Sequence, residues 1–176
     1  SLTSNFKNKL NFGLSTFGAS YRHKVNISSS GWSTIYNSVN GYPSNEGYTR
    51  MGTAMRSAGQ YVAAFRNQAP TYILLITDGY PNGESYNPVT ETANIWNQYR
   101  IKTYVLGIQF NASLLNSIAS AGQTGSAYNA SNQSAITAVF NIIAKNASAE
   151  ICDNKDNDCD GLVDEGLTKG CSSACG

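Results

Sequence analysis

Residues 152 to 165 read CDNKDNDCDGLVDE, a run whose carboxylates are spaced to hold a metal ion. Asp156, Asp158 and Asp160 alternate, and Gly161 follows where a calcium loop makes its sharp turn. Leu162 stands where such a loop offers a backbone carbonyl, and Asp164 takes the ninth position. An EF-hand would place a bidentate Glu at the twelfth position, but that position is Leu167 and Glu165 comes two residues earlier. The run is a calcium loop of another kind. Ca2+ takes about six to eight oxygens, which the carboxylates of Asp156, Asp158, Asp160, Asp164 and Glu165 with the Leu162 carbonyl can supply; Mg2+ demands a tighter octahedron. The competing reading is a solvated acidic linker.

Cysteines crowd the same stretch. Cys152, Cys159, Cys171 and Cys175 are the only four in the chain, and residues 1 to 151 contain none. Their C-x6-C and C-x3-C spacings, with no histidine nearby, fit neither half of a usual zinc site. Disulfides in an oxidising compartment are the expected use, stapling a segment too short for a core of its own. The pairing among the four stays open.

A second candidate centre lies in ILLITDGYPNGES, residues 73 to 85. An apolar run bounded by turn residues reads as a strand buried on both faces of a parallel sheet. Ligand crevices in such sheets open outside the carboxyl ends of the strands, where Asp78 falls. A turn or helix-capping Asp is the competing reading.

These residues need elements to position them. Leu10 to Gly18 and Tyr21 to Ile27 read as strands of a hairpin, turning at Gly18-Ala19-Ser20. Residues 28 to 48 read as one long Ser-, Gly- and Asn-rich loop, of the length that is usually functional, and Trp32 within it can contact a partner or pack locally. A helix is expected from Arg50 to Asn67, with Met51, Met55, Ala58, Val62 and Phe65 on its core stripe and Thr49 at the cap. Asn87-Pro88 opens another helix, whose Ala93, Trp96 and Tyr99 are expected to face the core. Ile101 to Ile108 is a strand, Asn111 caps a short helix closing near Gly122, and Ser126 to Ala130 is strand-like. Ser131 or Asn132 caps a last helix carrying Ile136, Val139, Phe140 and Ile143. The alternation predicts an α/β fold: a doubly wound, mostly parallel sheet with helices on both faces, spanning 1–147, and a disulfide- and calcium-stabilised tail over 148–176.

Composition narrows the function. With 41% hydrophobic residues the chain can bury a core, while a net charge of +1 provides no basic field for nucleic acid. No run approaches the roughly 18 apolar residues of a membrane span. No leader is present; an exported form would already have lost it. The Asn, Ser, Thr, Gly and Tyr content is that of a secreted or surface protein. His23 is the only histidine, lies in a predicted strand and is expected to be structural, so no Ser-His-Asp or Cys-His set can be assembled. Glycosylation sequons occur at Asn26, Asn111, Asn129, Asn132 and Asn146.

Taken in order, LNFGLSTFG, GYTRMGTAM, TYILLITDG and IKTYVLGIQ resemble segments of the von Willebrand factor A domain, the fold of integrin I domains. They match its second strand, its G-x-T-x-x-G-x-A segment, its fourth strand and its fifth strand. The resemblance covers about residues 5 to 147. It implies a metal-ion-dependent adhesion site in which Thr49 and Asp78 bind Mg2+ or Mn2+, leaving a position for an acidic side chain of a protein or surface ligand. The family also draws on a D-x-S-x-S motif after its first strand, and no D-x-S-x-S occurs in this sequence. The first strand is therefore expected from an upstream segment or a partner chain, and its place is between Leu10–Phe17 and Tyr72–Thr77. The acidic loop resembles the D-x-D-x-D-G-x-x-x-E loops of secreted bacterial proteins, including the excalibur type and Cys-containing metal-binding repeats. The final GCSSACG resembles the opening of a further cysteine-rich module.

The resemblances imply an extracellular adhesion or ligand-binding module, not an enzyme. A structural subunit of a surface appendage with a vestigial metal site is the alternative. An intracellular machine of the metal-chelatase kind is disfavoured by the clustered cysteines.

Overall fold

Phe12–Phe17 (β1) and Tyr21–Ser28 (β2) form the expected antiparallel hairpin, closing at the Phe17–Tyr21 pair. The computed structural model describes residues 10–38, 47–67, 70–108, 112–130 and 133–147. The acidic loop, all four cysteines and the expected caps Asn111, Ser131 and Asn132 lie outside these residues. So does the boundary expected after residue 147.

The segment read as a single long loop contains a helix, Gly31–Ser38 (α1). The Ser30 carbonyl accepts from the Thr34 N–H at 3.3 Å and from the Ser33 hydroxyl at 2.8 Å. Trp32 meets Phe12 edge-on, with ring centroids 5.7 Å apart, and lies 6.5 Å from Tyr36. Serine-rich sequence carries little helical propensity, so packing on the hairpin holds α1 in place. Trp32 packs locally.

Seven further elements alternate helix and strand as the sequence predicts: Met51–Val62 (α2), Tyr72–Thr77 (β3), Pro88–Tyr99 (α3), Lys102–Gly107 (β4), Ala112–Ala121 (α4), Tyr128–Asn129 (β5) and Gln133–Ala147 (α5). Strands β3, β4 and β5 pair in parallel, with Tyr72 opposite Lys102 and Leu106 opposite Tyr128. The two-residue period of β3 divides the interior. Ile73 and Leu75 join Met51, Met55, Val62, Ile95, Val105 and Ile118 on one face; Leu74 joins Leu106, Val139 and Ile143 on the other. Each fully buried side chain of this size contributes roughly 1.5–3 kcal/mol relative to exposure.

Two expected helix details differ. Helix α2 stops at Val62 rather than Asn67, and the chain continues in turns in which Ala64 and Phe65 donate to Tyr61 and Val62. On α3 the buried positions are Pro88, Glu91, Thr92 and Ile95; Tyr99 packs half-buried on the same core as expected, while Ala93 and Trp96 are only half-buried. The reason is a close crossing with α2. A Cβ on Gly59 would sit 2.5 Å from Ile95 Cγ1, so the bare glycine admits Ile95 and turns that stripe inward. Trp96 instead lies under the Arg100 guanidinium, 5.2 Å from its ring centre.

The strands fall into two sheets, β1-β2 and β3-β4-β5, and β1 does not pair with β3. Both sheets nonetheless serve one core, because Phe17 and Ile27 pack on the cluster built around α2. No residue of β1 is fully buried, and Ile76 on β3 is 43% exposed, unusual for an apolar residue in the middle of a buried strand.

Candidate metal-binding edge

The chain leaves β3 at Thr77, whose carbonyl accepts from the Ile108 N–H at 2.9 Å and whose hydroxyl accepts from the Gly79 N–H at 3.3 Å. That tight turn puts Asp78 at the strand end, exposed to solvent. Thr49 approaches from the other side. Its Oγ1 lies 3.3 Å from where a Cβ on Gly79 would stand, so Thr49 abuts the Asp78–Gly79 turn. The two residues singled out from sequence share one edge of the fold.

Thr49 is not the helix cap. Arg50 holds that position, with φ −80° and ψ 66° and no capping side chain, and its N–H donates to Gly18 O at 3.4 Å. The capping acceptor comes from the loop after β3 instead. Glu84 Oε2 accepts from the Thr53 N–H at 2.9 Å, satisfying one of the first-turn donors and placing negative charge at the helix N-terminus. Asn82 fastens the same loop to Thr49: Oδ1 accepts from the Thr49 N–H and the Asn82 N–H donates to Thr49 O, both at 3.1 Å. The bond between Asn82 and Thr49 spans 33 residues and carries no local signal in the sequence. No sequence signal marks Glu84.

Around this edge stand Tyr48, Tyr80 and Tyr86, each at least 40% exposed. Arg50 stacks over Tyr48 at 5.3 Å and Arg56 over Tyr86 at 4.8 Å. Arg50 Nε and Glu84 Oε1 are buried without a hydrogen-bond partner among the described residues.

A hydroxyl and a carboxylate are hard oxygen donors, the set a divalent cation such as Mg2+ prefers. They fit such an ion but do not complete its shell. Among the described residues, no group of three or more His, Cys, Asp or Glu side chains is placed to hold a metal. A cation held by Thr49 and Asp78 would draw its remaining ligands from waters or from groups elsewhere.

The family model of the von Willebrand factor type A domain matches residues 1–142. The chain belongs to the von Willebrand factor type A family. Solved structures with the same fold include proximal thread matrix protein 1 from the mussel byssus, at 21% identity and a TM-score of 0.62 over 83% of this chain and 40% of that one. A second structure of that protein, described as having a zinc-occupied MIDAS motif, matches at 16% identity and a TM-score of 0.59, covering 76% of this chain and 35% of that one. At these identities the likeness establishes the fold. This chain spans about two fifths of the length of the first of these structures. No curated protein matches by sequence. No helix among the described residues is long and apolar enough to cross a membrane.

Proposed function

We propose that this von Willebrand A domain is an extracellular ligand-binding or adhesion module. Its ligand contact is a divalent cation held in part by Thr49 and Asp78. The observation that carries this reading is the meeting of Thr49 with the Asp78–Gly79 turn at the carboxyl end of β3, where an α/β sheet presents its ligands. When bound, Mg2+ or Mn2+ supplies an electrophilic position for an acidic side chain of a partner. This chain supplies two of its oxygens and an aromatic rim. The zinc-occupied MIDAS motif of the byssus protein supports metal binding at this place in the fold.

The remaining family ligands come from a D-x-S-x-S segment following a strand that fits between β1 and β3. The acidic run from Asp156 to Glu165 binds Ca2+ in a cysteine-stapled tail, 148–176, separate from the domain at 1–147. The protein binds rather than catalyses, and it acts outside the cell or at its surface.

The test is Mg2+ titration of a chain that includes the complementing strand, before and after Asp78→Ala. The expected result is loss of Mg2+-dependent partner binding with an unchanged melting temperature, since Asp78 is exposed and contributes no packing. Partner binding that survives both chelation and Asp78→Ala would favour a structural subunit with a vestigial metal site. That second reading draws on one observation: the described residues do not complete a metal site.

A further inference from the structure

We propose that Asn82 is a site of spontaneous deamidation and that its conversion releases the latch on Thr49. Position 83 is restricted to glycine twice over. Its φ is +65°, in the left-handed region, and a Cβ there would collide with the Tyr48 ring. Position 82 is equally constrained, because its side-chain oxygen accepts the Thr49 N–H while its own N–H donates to Thr49 O. The structure thus calls for glycine at 83 and a short side chain with an accepting oxygen at 82, where the sequence has Asn. The resulting Asn-Gly step is the one most open to cyclisation, since glycine has no side chain to shield its backbone nitrogen from the preceding carboxamide.

The geometry adds a second factor. The Thr49 N–H donates to Asn82 Oδ1 at 3.1 Å, which draws electron density from Cγ and stabilises negative charge as it develops on that oxygen. Asn82 is exposed, so water reaches the leaving amide. The balanced reaction has two steps. The Gly83 nitrogen loses its proton to solvent base and attacks Asn82 Cγ; Nδ2 takes a proton from solvent, its bond to Cγ breaks, ammonia departs and a cyclic imide remains. Water then opens the imide at either carbonyl, giving Asp or isoaspartate with no net oxidation or reduction. The products act differently on Thr49. An Asp keeps both bonds and adds a negative charge beside Thr49 and Asp78. An isoaspartate inserts the side-chain methylene into the main chain and cannot keep both, so Thr49 comes free.

The test is incubation of the folded chain at neutral and mildly alkaline pH, followed by peptide mapping for the small mass gain of amide-to-acid conversion and for isoaspartate. Asn82 is expected to convert, faster at the higher pH, ahead of Asn26, Asn87 and Asn129. Hydrogen exchange at the Thr49 amide is expected to accelerate in the isoaspartate fraction and not in Asn82→Asp. Gly83→Ala should slow the conversion, and the same chain unfolded in urea controls for sequence alone. If Asn82 stays amidated in the folded protein while the unfolded chain converts, the latch protects the amide and the proposal fails. If conversion occurs without faster exchange at Thr49, the release of Thr49 is overturned.

Discussion

Thr49 and Asn82 hold each other by a reciprocal pair of hydrogen bonds, each 3.1 Å, across 33 residues of sequence. The pair ties the entry of α2 to the loop leaving β3, the two segments that carry the candidate metal ligands. The position of Thr49 beside Asp78 is therefore a property of loop chemistry. It is not set by the helix, whose own cap residue contributes no side-chain bond.

The tightness of this loop can be measured at Gly83. An L-residue in the left-handed region costs roughly 1–2 kcal/mol, so Gly83→Ala should lower stability by at least that much in urea denaturation. Displacement of the Tyr48 ring adds to it. Adding Tyr48→Ala should recover the steric part and leave the backbone part, a non-additivity expected of touching residues.

Glu84 offers an independent check on the same loop. Glu84→Ala removes the acceptor of the Thr53 N–H and is expected to cost about 0.5–2 kcal/mol, the range for losing a helix cap. Glu84→Gln keeps an acceptor oxygen and should recover most of the loss. Equal destabilisation by both variants would mean that charge at the helix end, not the hydrogen bond, is what counts.

Much of this arrangement was legible in the sequence, and the parts that were not share a physical cause. The apolar runs ending at Thr77 and Gly107, the hairpin around Gly18 and the Asn87-Pro88 helix start all carry local signals. Asn87 caps α3 as its sequence announces, with Oδ1 accepting from Val89 at 2.9 Å. Helix α1 and the Glu84 cap were hidden because each depends on a contact remote in sequence: Trp32 on Phe12, Glu84 on Thr53. The inward face of α3 was misread at Ala93 and Trp96 for a similar reason. Periodicity identifies a stripe, but Gly59 on a neighbouring helix decides which stripe is buried.

At the opposite end of the sheet, Tyr72 donates to Asn146 O at 2.8 Å and Asn146 Nδ2 donates to Tyr104 Oη at 2.7 Å. Burial first, and then the charge of Tyr104, raises the pKa of Tyr72; burial first raises that of Tyr104, the Asn146 bond opposes it and the charge of Tyr128 adds to it. A raised folded-state value means the fold prefers the protonated phenol. That contribution is complete below the unfolded tyrosine value of about 10 and is lost as pH rises through the folded value. The urea midpoint should fall above pH of about 10, and Tyr72→Phe should flatten that fall.

The tail gives a separate outcome. If the run from Asp156 to Glu165 holds Ca2+, limited proteolysis between Asn146 and Thr168 should be suppressed by Ca2+ and restored by a chelator, with Mg2+ a poor substitute. Reduction of the cysteines should weaken the protection. Cleavage that ignores calcium would mean the run is a solvated acidic linker.

The most demanding prediction concerns the strand expected between β1 and β3. The two strands belong to separate sheets yet pack on one core, and Ile76 remains 43% exposed on the outer strand. An inserted parallel strand would gain partners on both sides, at about 0.5–1.5 kcal/mol for each hydrogen bond, and would cover Ile76. Such a strand lies buried on both faces, so its sequence should be a near-continuous apolar run. A peptide of that kind ending in D-x-S-x-S should raise the melting temperature and slow amide exchange along the outer edge of β3, while a scrambled peptide should do neither. Mg2+ should tighten the complex further through Thr49, Asp78 and the added serines. In Asp78→Ala the peptide should still dock and still protect β3, but the gain from Mg2+ should vanish. That difference separates completing the sheet from completing the metal site. Direct pairing of β1 with β3 in solution, seen as mutual protection without any peptide, would overturn both.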